Sequence, residues 1–113
     1  MEAIYDRDGH VVGQLGGTFV YDVRGLTTRG RLLNWWVYTQ GTSKQPGYVV
    51  GGYFVDEGGA PVACVAAAEG GPGLPDNVPA QRKGPLPGEH LPGMPQAPLV
   101  EWSPVTWEQY LGE

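Results

Sequence analysis

Carboxylates stand wherever this chain is expected to turn: Asp6, Asp8, Asp22, Asp56 and Glu57. Two carboxylates held close together can do acid–base work on a glycosidic bond. Asp6-Arg7-Asp8-Gly9 also begins like a calcium loop, but such a loop needs oxygen ligands out to its last position, including a bidentate Glu. Val11-Val12-Gly13-Gln14-Leu15 follows instead, so no calcium site is expected. The two histidines, His10 and His90, share no metal-ligand spacing with each other or with Cys64, which argues against zinc. Cys64 sits in the apolar run Val62-Ala63-Cys64-Val65-Ala66. A nucleophilic cysteine needs a base and polarising surroundings, so Cys64 reads as a buried, inert thiol. Ser43 and Ser103 lie in no nucleophile elbow, and Gly70-Gly71-Pro72-Gly73 leads into prolines, not into a helix as a phosphate loop would. No catalytic set assembles. The reading is a protein that is not an enzyme and that holds no cofactor or metal.

One cluster mixes cations with aromatics: Arg29 and Arg31, then Trp35, Trp36 and Tyr38, with Lys44 and Tyr48 beyond an insertion. Single-strand nucleic-acid binders combine such residues. The net charge of −5 opposes that reading, because an acidic chain gains little from counterion release. Residues 1–55 carry five basic and four acidic groups, a balance of +1, while residues 56–113 carry two and eight, a balance of −6. The seven residues therefore form a candidate surface for another protein, and neither nucleic acid nor a membrane is expected as a partner. Adjacent strand residues point to opposite faces, so one of Trp35 and Trp36 belongs to the core and its neighbour needs cover. That cover is expected from the chain itself, with a partner chain as the alternative.

The elements that position these residues come from a repeat. Ile4-Tyr5-Asp6 ends in Gly9, Val20-Tyr21-Asp22 in Gly25, Val37-Tyr38-Thr39 in Gly41 and Phe54-Val55-Asp56 in Gly58-Gly59. In such a phrase the Asp side chain bonds to backbone amides two residues on. Gly then supplies the positive φ that closes the turn and opens the return strand with a bulge. Each unit reads as a β-hairpin, and hairpins this short must stack or close around an axis to bury an apolar face. Strand character runs through residues 10–15, 18–21, 32–39, 48–56 and 61–68. Tyr48-Val49-Val50-Gly51 echoes Val11-Val12-Gly13, so Gly13, Gly30 and Gly51 are expected where backbones crowd together. Residues 42–47 interrupt the third unit, which also has Thr39 in place of Asp.

Eight of the eleven prolines fall between Pro72 and Pro98. The organisation expected is a β domain over residues 1–68, a Pro/Gly-rich strap over 69–100 packed upon it, and a short helix within 101–113. Leu74, Val78, Leu86, Leu91, Met94 and Leu99 give the strap apolar anchors. Pro72-Gly-Leu-Pro75, Pro92-Gly-Met-Pro95 and Pro95-Gln-Ala-Pro98 match the bare spacing of ligands for aromatic grooves, and packing on the protein's own tryptophans is the favoured reading. Ser103 is the expected N-cap, with Pro104 in the first turn and Trp102 stapled to Trp107. The lone cysteine allows no internal disulfide, and the N-terminus resembles no signal peptide. A cytoplasmic location is expected.

The Tyr-Asp-x-x-Gly-x-Val-Val-Gly pattern, the segment Gly52-Tyr53-Phe54-Val55-Asp56-Glu57-Gly58-Gly59, the Glu69-Gly70-Gly71-Pro72 junction, the Pro-rich strap and the closing Trp102-Ser103 and Tyr110-Leu111 together resemble the four-fold β flower proteins. That resemblance implies a small bacterial all-β protein: four β-hairpin repeats around a pseudo-four-fold axis, then a Pro/Gly-rich strap and a short C-terminal helix. It implies no activity. The leading functional reading is a non-enzymatic interaction or scaffold module. A small-ligand, carbohydrate-type binder and a carboxylate-dependent hydrolase are the alternatives. A pocket lined by Trp and Tyr with converging carboxylates favours the alternatives, and hairpin tips without a cavity favour the first. Unpaired hairpin edges would also allow a homo-oligomer.

Overall fold

The computed structural model describes residues 1–40, 45–88 and 99–112. Eight strands follow in order: β1 (Glu2–Asp6), β2 (Val11–Gly16), β3 (Phe19–Tyr21), β4 (Thr28–Leu33), β5 (Trp36–Thr39), β6 (Gly47–Val50), β7 (Tyr53–Asp56) and β8 (Pro61–Cys64), before one helical turn, α1 (Trp107–Tyr110). Each strand pairs antiparallel with its neighbours in sequence. β1 pairs with β8 through Tyr5↔Cys64 and Asp6↔Ala63, which closes a barrel. The all-β architecture of four hairpins is therefore present. Closure also removes the free sheet edges through which two copies could have paired.

Register reveals why a period of 16 to 17 residues builds this object. Ile4 faces Gly13, Val20 faces Gly30, Val37 faces Gly47 and Phe54 faces Ala63. The four large members are all fully buried, and so, nearly, are Leu15, Leu32, Val49 and Val65, two residues beyond the small ones. The interior thus holds two rings of four large side chains and, at one end, a ring of Gly13, Gly30, Gly47 and Ala63. Eight strands enclose a space that side chains just fill. The small ring exists because the backbones come close there. A Cβ on Gly13 or Gly30 would lie 2.8 Å from the carbonyl oxygen of Tyr21 or Tyr38, inside the roughly 3.3–3.6 Å at which carbon and oxygen ordinarily meet. The third member is Gly47 and not Gly51, because the insertion shifts the third unit against its Val-Val-Gly spelling. Gly51 instead occupies a turn at φ +58°.

Wide corners join the strands at the small-residue end. Asp6 Oδ1 accepts the amides of Asp8 and His10, Asp22 Oδ1 those of Leu26 and Thr27, and Asp56 Oδ1 those of Gly58 and Ala60. Gly9, Gly25 and Gly59 follow at φ +82°, +72° and +91°. One residue bulges out of the return strand after each of these corners: Val12, Arg29 and Val62. At Asp6 and Asp56 one of the accepted amides is two residues on, as expected; at Asp22 the bonds run instead to amides four and five residues on, and the third corner, at residues 41–44, lies outside the described residues.

Tight turns occupy the other end, and one of them overturns the reading of Trp35. Residues 32–39 are not one strand: Leu33 pairs with Trp36 across a two-residue turn of Asn34 and Trp35, at φ +50° and +68°. Such turns need positive φ at both central residues and normally recruit Gly. A bulky side chain there is strained, and the strain is offset by packing of the indole on the barrel core. The backbone gains too. The second turn residue accepts the amide of the next unit's interior residue, Leu32 to Thr18 at 2.6 Å, Val49 to Trp35 at 2.7 Å and Val65 to Gly52 at 2.9 Å. These bonds stitch each hairpin to the one before it.

The chain after β8 wraps the barrel. Tyr53 donates its hydroxyl to Pro72 O, Asn77 reaches the corner at Gly9 O, and Arg82 binds Ala66 O and Glu2. Gly51 and Gly52 donate their amides to Gly88 O and Pro87 O, and Leu86 packs against the barrel core beside Trp35. Leu74 and Val78 cover outer side chains of β6–β8. Leu91 and Met94, His90, and the two later PxxP segments fall outside the described residues. At the opposite end, α1 lies across the ring of small residues. Trp107 meets Phe54 edge-on at 5.2 Å and stacks on Tyr110 at 5.6 Å, and Tyr110 donates its hydroxyl to Val55 O at 2.8 Å. The bulged residues face this plug: Val12 and Val62 pack with it, and Arg29 forks onto Glu108 at 2.7 and 3.0 Å. Its N-cap is Thr106, in a capping box with Gln109, and not Ser103. Ser103 is instead buried and donates to Asp56 Oδ2 at 2.8 Å. Its hydroxyl oxygen also accepts the Val105 amide at 3.1 Å, and the helix itself begins three residues later, behind Thr106.

Candidate functional site

The corner carboxylates come first, since they carried the only catalytic alternative. Asp6 and Asp8, and Asp56 and Glu57, line cavities beside the α1 segment. Each Oδ1 of Asp6, Asp22 and Asp56 serves the turn, and Asp56 Oδ2 holds Ser103. The Leu26 amide holds the Asp22 carboxyl below the ordinary range, with Thr27, Arg24 and Gly25 acting the same way against a smaller opposing effect of burial. Asp6, Asp8 and His10 bring ligand-type atoms within 4.8 Å of one another. Asp8 and His10 are exposed, and His10 Nδ1 lies 3.7 Å from Asp6 Oδ2. This is the pairing of an Asx turn, and nothing buried converges on it.

A cavity of about 550 Å³ opens beside the Asp56 corner, walled by Pro46, Asp56, Glu57, Gly58, Val105, Gln109 and Tyr110. It meets half of the condition set for a ligand site. Two carboxylates are present, but Asp56 is committed to its turn and to Ser103, and the only aromatic is Tyr110, fully engaged with Val55 O. Burial pushes the Tyr110 hydroxyl well above its usual range, with Asp56 and Tyr48 adding to the effect. It is a held donor, not a ready acid. Cys64 is likewise inert: it is buried, and burial raises its thiol to about 12.

The outer surface of the barrel divides in two. Over β6–β8, Tyr48, Val50, Tyr53, Val55 and Cys64 point outward yet are buried, covered by Val78, Leu74 and Trp102. Trp102 meets Tyr53 at 5.9 Å. Over β3–β5 the cover is partial: Tyr21, Trp36 and Tyr38 are half-buried, and the Met1 side chain lies beside Tyr21 at Gly16. Phe19 is 45 % exposed and Leu33 52 %. Arg31 stands between Phe19 on one strand and Tyr38 on the next, in register with both, and Tyr21 meets Phe19 at 6.4 Å. Val23 and Leu26 are exposed at the adjoining corner.

Of the seven residues singled out from the sequence, the structure brings three to this open face: Arg31, Tyr38 and, at its margin, Trp36, which packs edge-on against Tyr48 at 5.4 Å. Tyr48 itself is buried under that contact. Arg29 is turned to Glu108 by its bulge, and Trp35 packs on the core from its turn. Lys44 lies outside the described residues. Phe19, Tyr21 and Leu33 were missed. The repeat could have found them, because Phe19 holds the place of Trp36 and Tyr53, and Tyr21 that of Tyr38.

Residues 2–111 match the model of a family described as 4-fold beta flower protein. No curated protein and no solved structure matches the chain.

Proposed function

This chain belongs to the 4-fold beta flower protein family, and from that premise we propose that it is a non-enzymatic protein-interaction module that binds through the outer face of β3–β5. One observation carries the reading. The tail covers the outer side chains of β6–β8, whereas on β3–β5 Phe19 and Leu33 stay open. Single exposed apolar residues are common, but a contiguous strip of them marks an interaction surface. Engagement of all three corner aspartates in turns supports the absence of catalysis. No helix among the described residues is long and apolar enough to cross a membrane. We place the protein in the cytoplasm, where the unpaired thiol of Cys64 stays reduced.

The test compares two full-length baits in an extract of the native cell, the wild type and a Phe19→Ser/Leu33→Ser variant, with retained proteins quantified by mass spectrometry. The expected result is a set held by the wild type and lost from the variant, while both baits keep the same melting temperature and near-ultraviolet circular dichroism. Equal retention by both baits overturns the reading. A second reading, a small polyol or sugar in the cavity at the Asp56 corner, is favoured only by Glu57 and Gln109 on its wall. Ligand-observed NMR against Glu57→Gln tests it.

A further inference from the structure

The open face has a charge pattern that selects among partners. Arg31 is exposed in the middle of β4, with Phe19 directly across from it on β3 and Tyr38 on β5. Directly opposed residues bring their Cβ atoms to about 4.5–5.5 Å, so the cation sits within reach of ring surface on two sides. Among the described residues no acceptor or ion pair holds its guanidinium. The one carboxylate on β3–β5 and their connecting corner is Asp22, and its Oδ1 is engaged by Leu26 and Thr27. The other acids of the described chain stand on β1 and its corner, on the β7–β8 corner, on the strap and on the C-terminal segment. A face that is locally cationic on an acidic molecule repels a symmetric copy of itself, because a two-fold axis through this strip sets Arg31 against Arg31.

Resting on the interaction reading above, we infer that this face takes an acidic, apolar segment of a different protein: an aliphatic or aromatic side chain on the Phe19–Leu33 strip and a carboxylate on Arg31. The guanidinium fork matches a carboxylate in bidentate geometry. Docking excludes water from the flanking rings, which strengthens the pair. Lysine, a point charge on a flexible stem, would not replace it.

The probe is a library of random peptides displayed on phage, selected on the full-length protein and counter-selected on Phe19→Ser/Leu33→Ser. Binders are then measured by calorimetry against wild type, Arg31→Ala and Arg31→Lys, each first shown to melt as the wild type does. The expected outcome is a set rich in Asp or Glu beside a large apolar residue. Those peptides should bind Arg31→Ala at least about tenfold more weakly, with only partial recovery in Arg31→Lys. Peptides that need Phe19 and Leu33 but ignore Arg31, or carry no acid, overturn this inference and leave the interaction reading standing. Binders indifferent to the double variant, or no binders at all, overturn both. A wild-type dimer in solution that Phe19→Ser/Leu33→Ser dissolves assigns the face to a second copy and also refutes the inference.

Discussion

Placing a methyl group in the ring of small residues tests the barrel at its tightest point. Three of the four positions are glycine and the fourth is Ala63, so the ring has an internal control. At Gly30 a Cβ would lie 2.8 Å from Tyr38 O, and at Gly13 2.8 Å from Tyr21 O. The strands must part by about 0.5–0.8 Å to restore an ordinary contact. Overpacking of this size costs about 1–3 kcal/mol. Stiffening the unfolded chain returns about 0.4–1 kcal/mol. The net loss for Gly30→Ala or Gly13→Ala is about 1–2 kcal/mol, or about 5–10 °C in melting temperature for a domain of this size. Gly47 is different in kind. Its Cβ would overlap Val55 O and stand 2.9 Å from the Tyr110 hydroxyl, so the methyl group displaces the very hydrogen bond that fastens the helical plug. Adding the loss of a buried bond, about 1–3 kcal/mol, brings Gly47→Ala to roughly 2–5 kcal/mol. Thermal melts followed by circular dichroism give the ranking directly. Gly47→Ala should melt lowest by a wide margin, Gly13→Ala and Gly30→Ala together in between. A Gly47→Ala protein that melts within a few degrees of the wild type refutes the packing argument, as does one more stable than Gly30→Ala.

Four further outcomes are expected. Ser103→Ala leaves Asp56 Oδ2 without its donor and should cost about 1.5–3 kcal/mol, read from chemical denaturation, whereas Thr106→Ala removes only a cap and should cost about 1 kcal/mol. The Asp22 carboxyl is depressed by turn amides. Its contribution to stability is therefore full above the unfolded value near pH 3.9 and fades as pH falls through the lower folded value. Carbon-detected NMR titration should show an Asp22 midpoint below that of free Asp. Cys64, raised to about 12 by burial, should resist a thiol reagent at pH 8 in the native protein and react at once in denaturant. Truncation after Glu69 removes Val78, Leu86 and the plug from the barrel. It should leave no cooperative melt, and a truncated barrel melting like the intact chain would sever strap from stability.

The hairpin corners were legible because their physics is local: an Asp, a Gly a few residues on, and backbone amides between them suffice. The period could be read for the same reason in the first, second and fourth units. Gly47 was passed over for Gly51 because the insertion broke the spelling, and only pairing with Val37 shows which glycine belongs to the ring. The turn at Trp35 was hidden since nothing local marks it. Its positive φ is held by a bond from Val49 and by packing on the core, both supplied by distant parts of the chain. Ser103 followed the same rule: a local cap was legible, but its bond to Asp56, 47 residues away in sequence, was not. For the candidate site, the residue types were legible and their grouping was not. Arg29 and Arg31 look alike in sequence, yet a bulge turns one to Glu108 and leaves the other between Phe19 and Tyr38. The sequence by itself determined a four-unit β protein with carboxylates at its hairpin corners. Which part of the barrel its tail covers, and so which outer side chains stay exposed, was decided by tertiary structure, because the path of residues 69–88 over β6–β8 is set by contacts between segments distant in the chain.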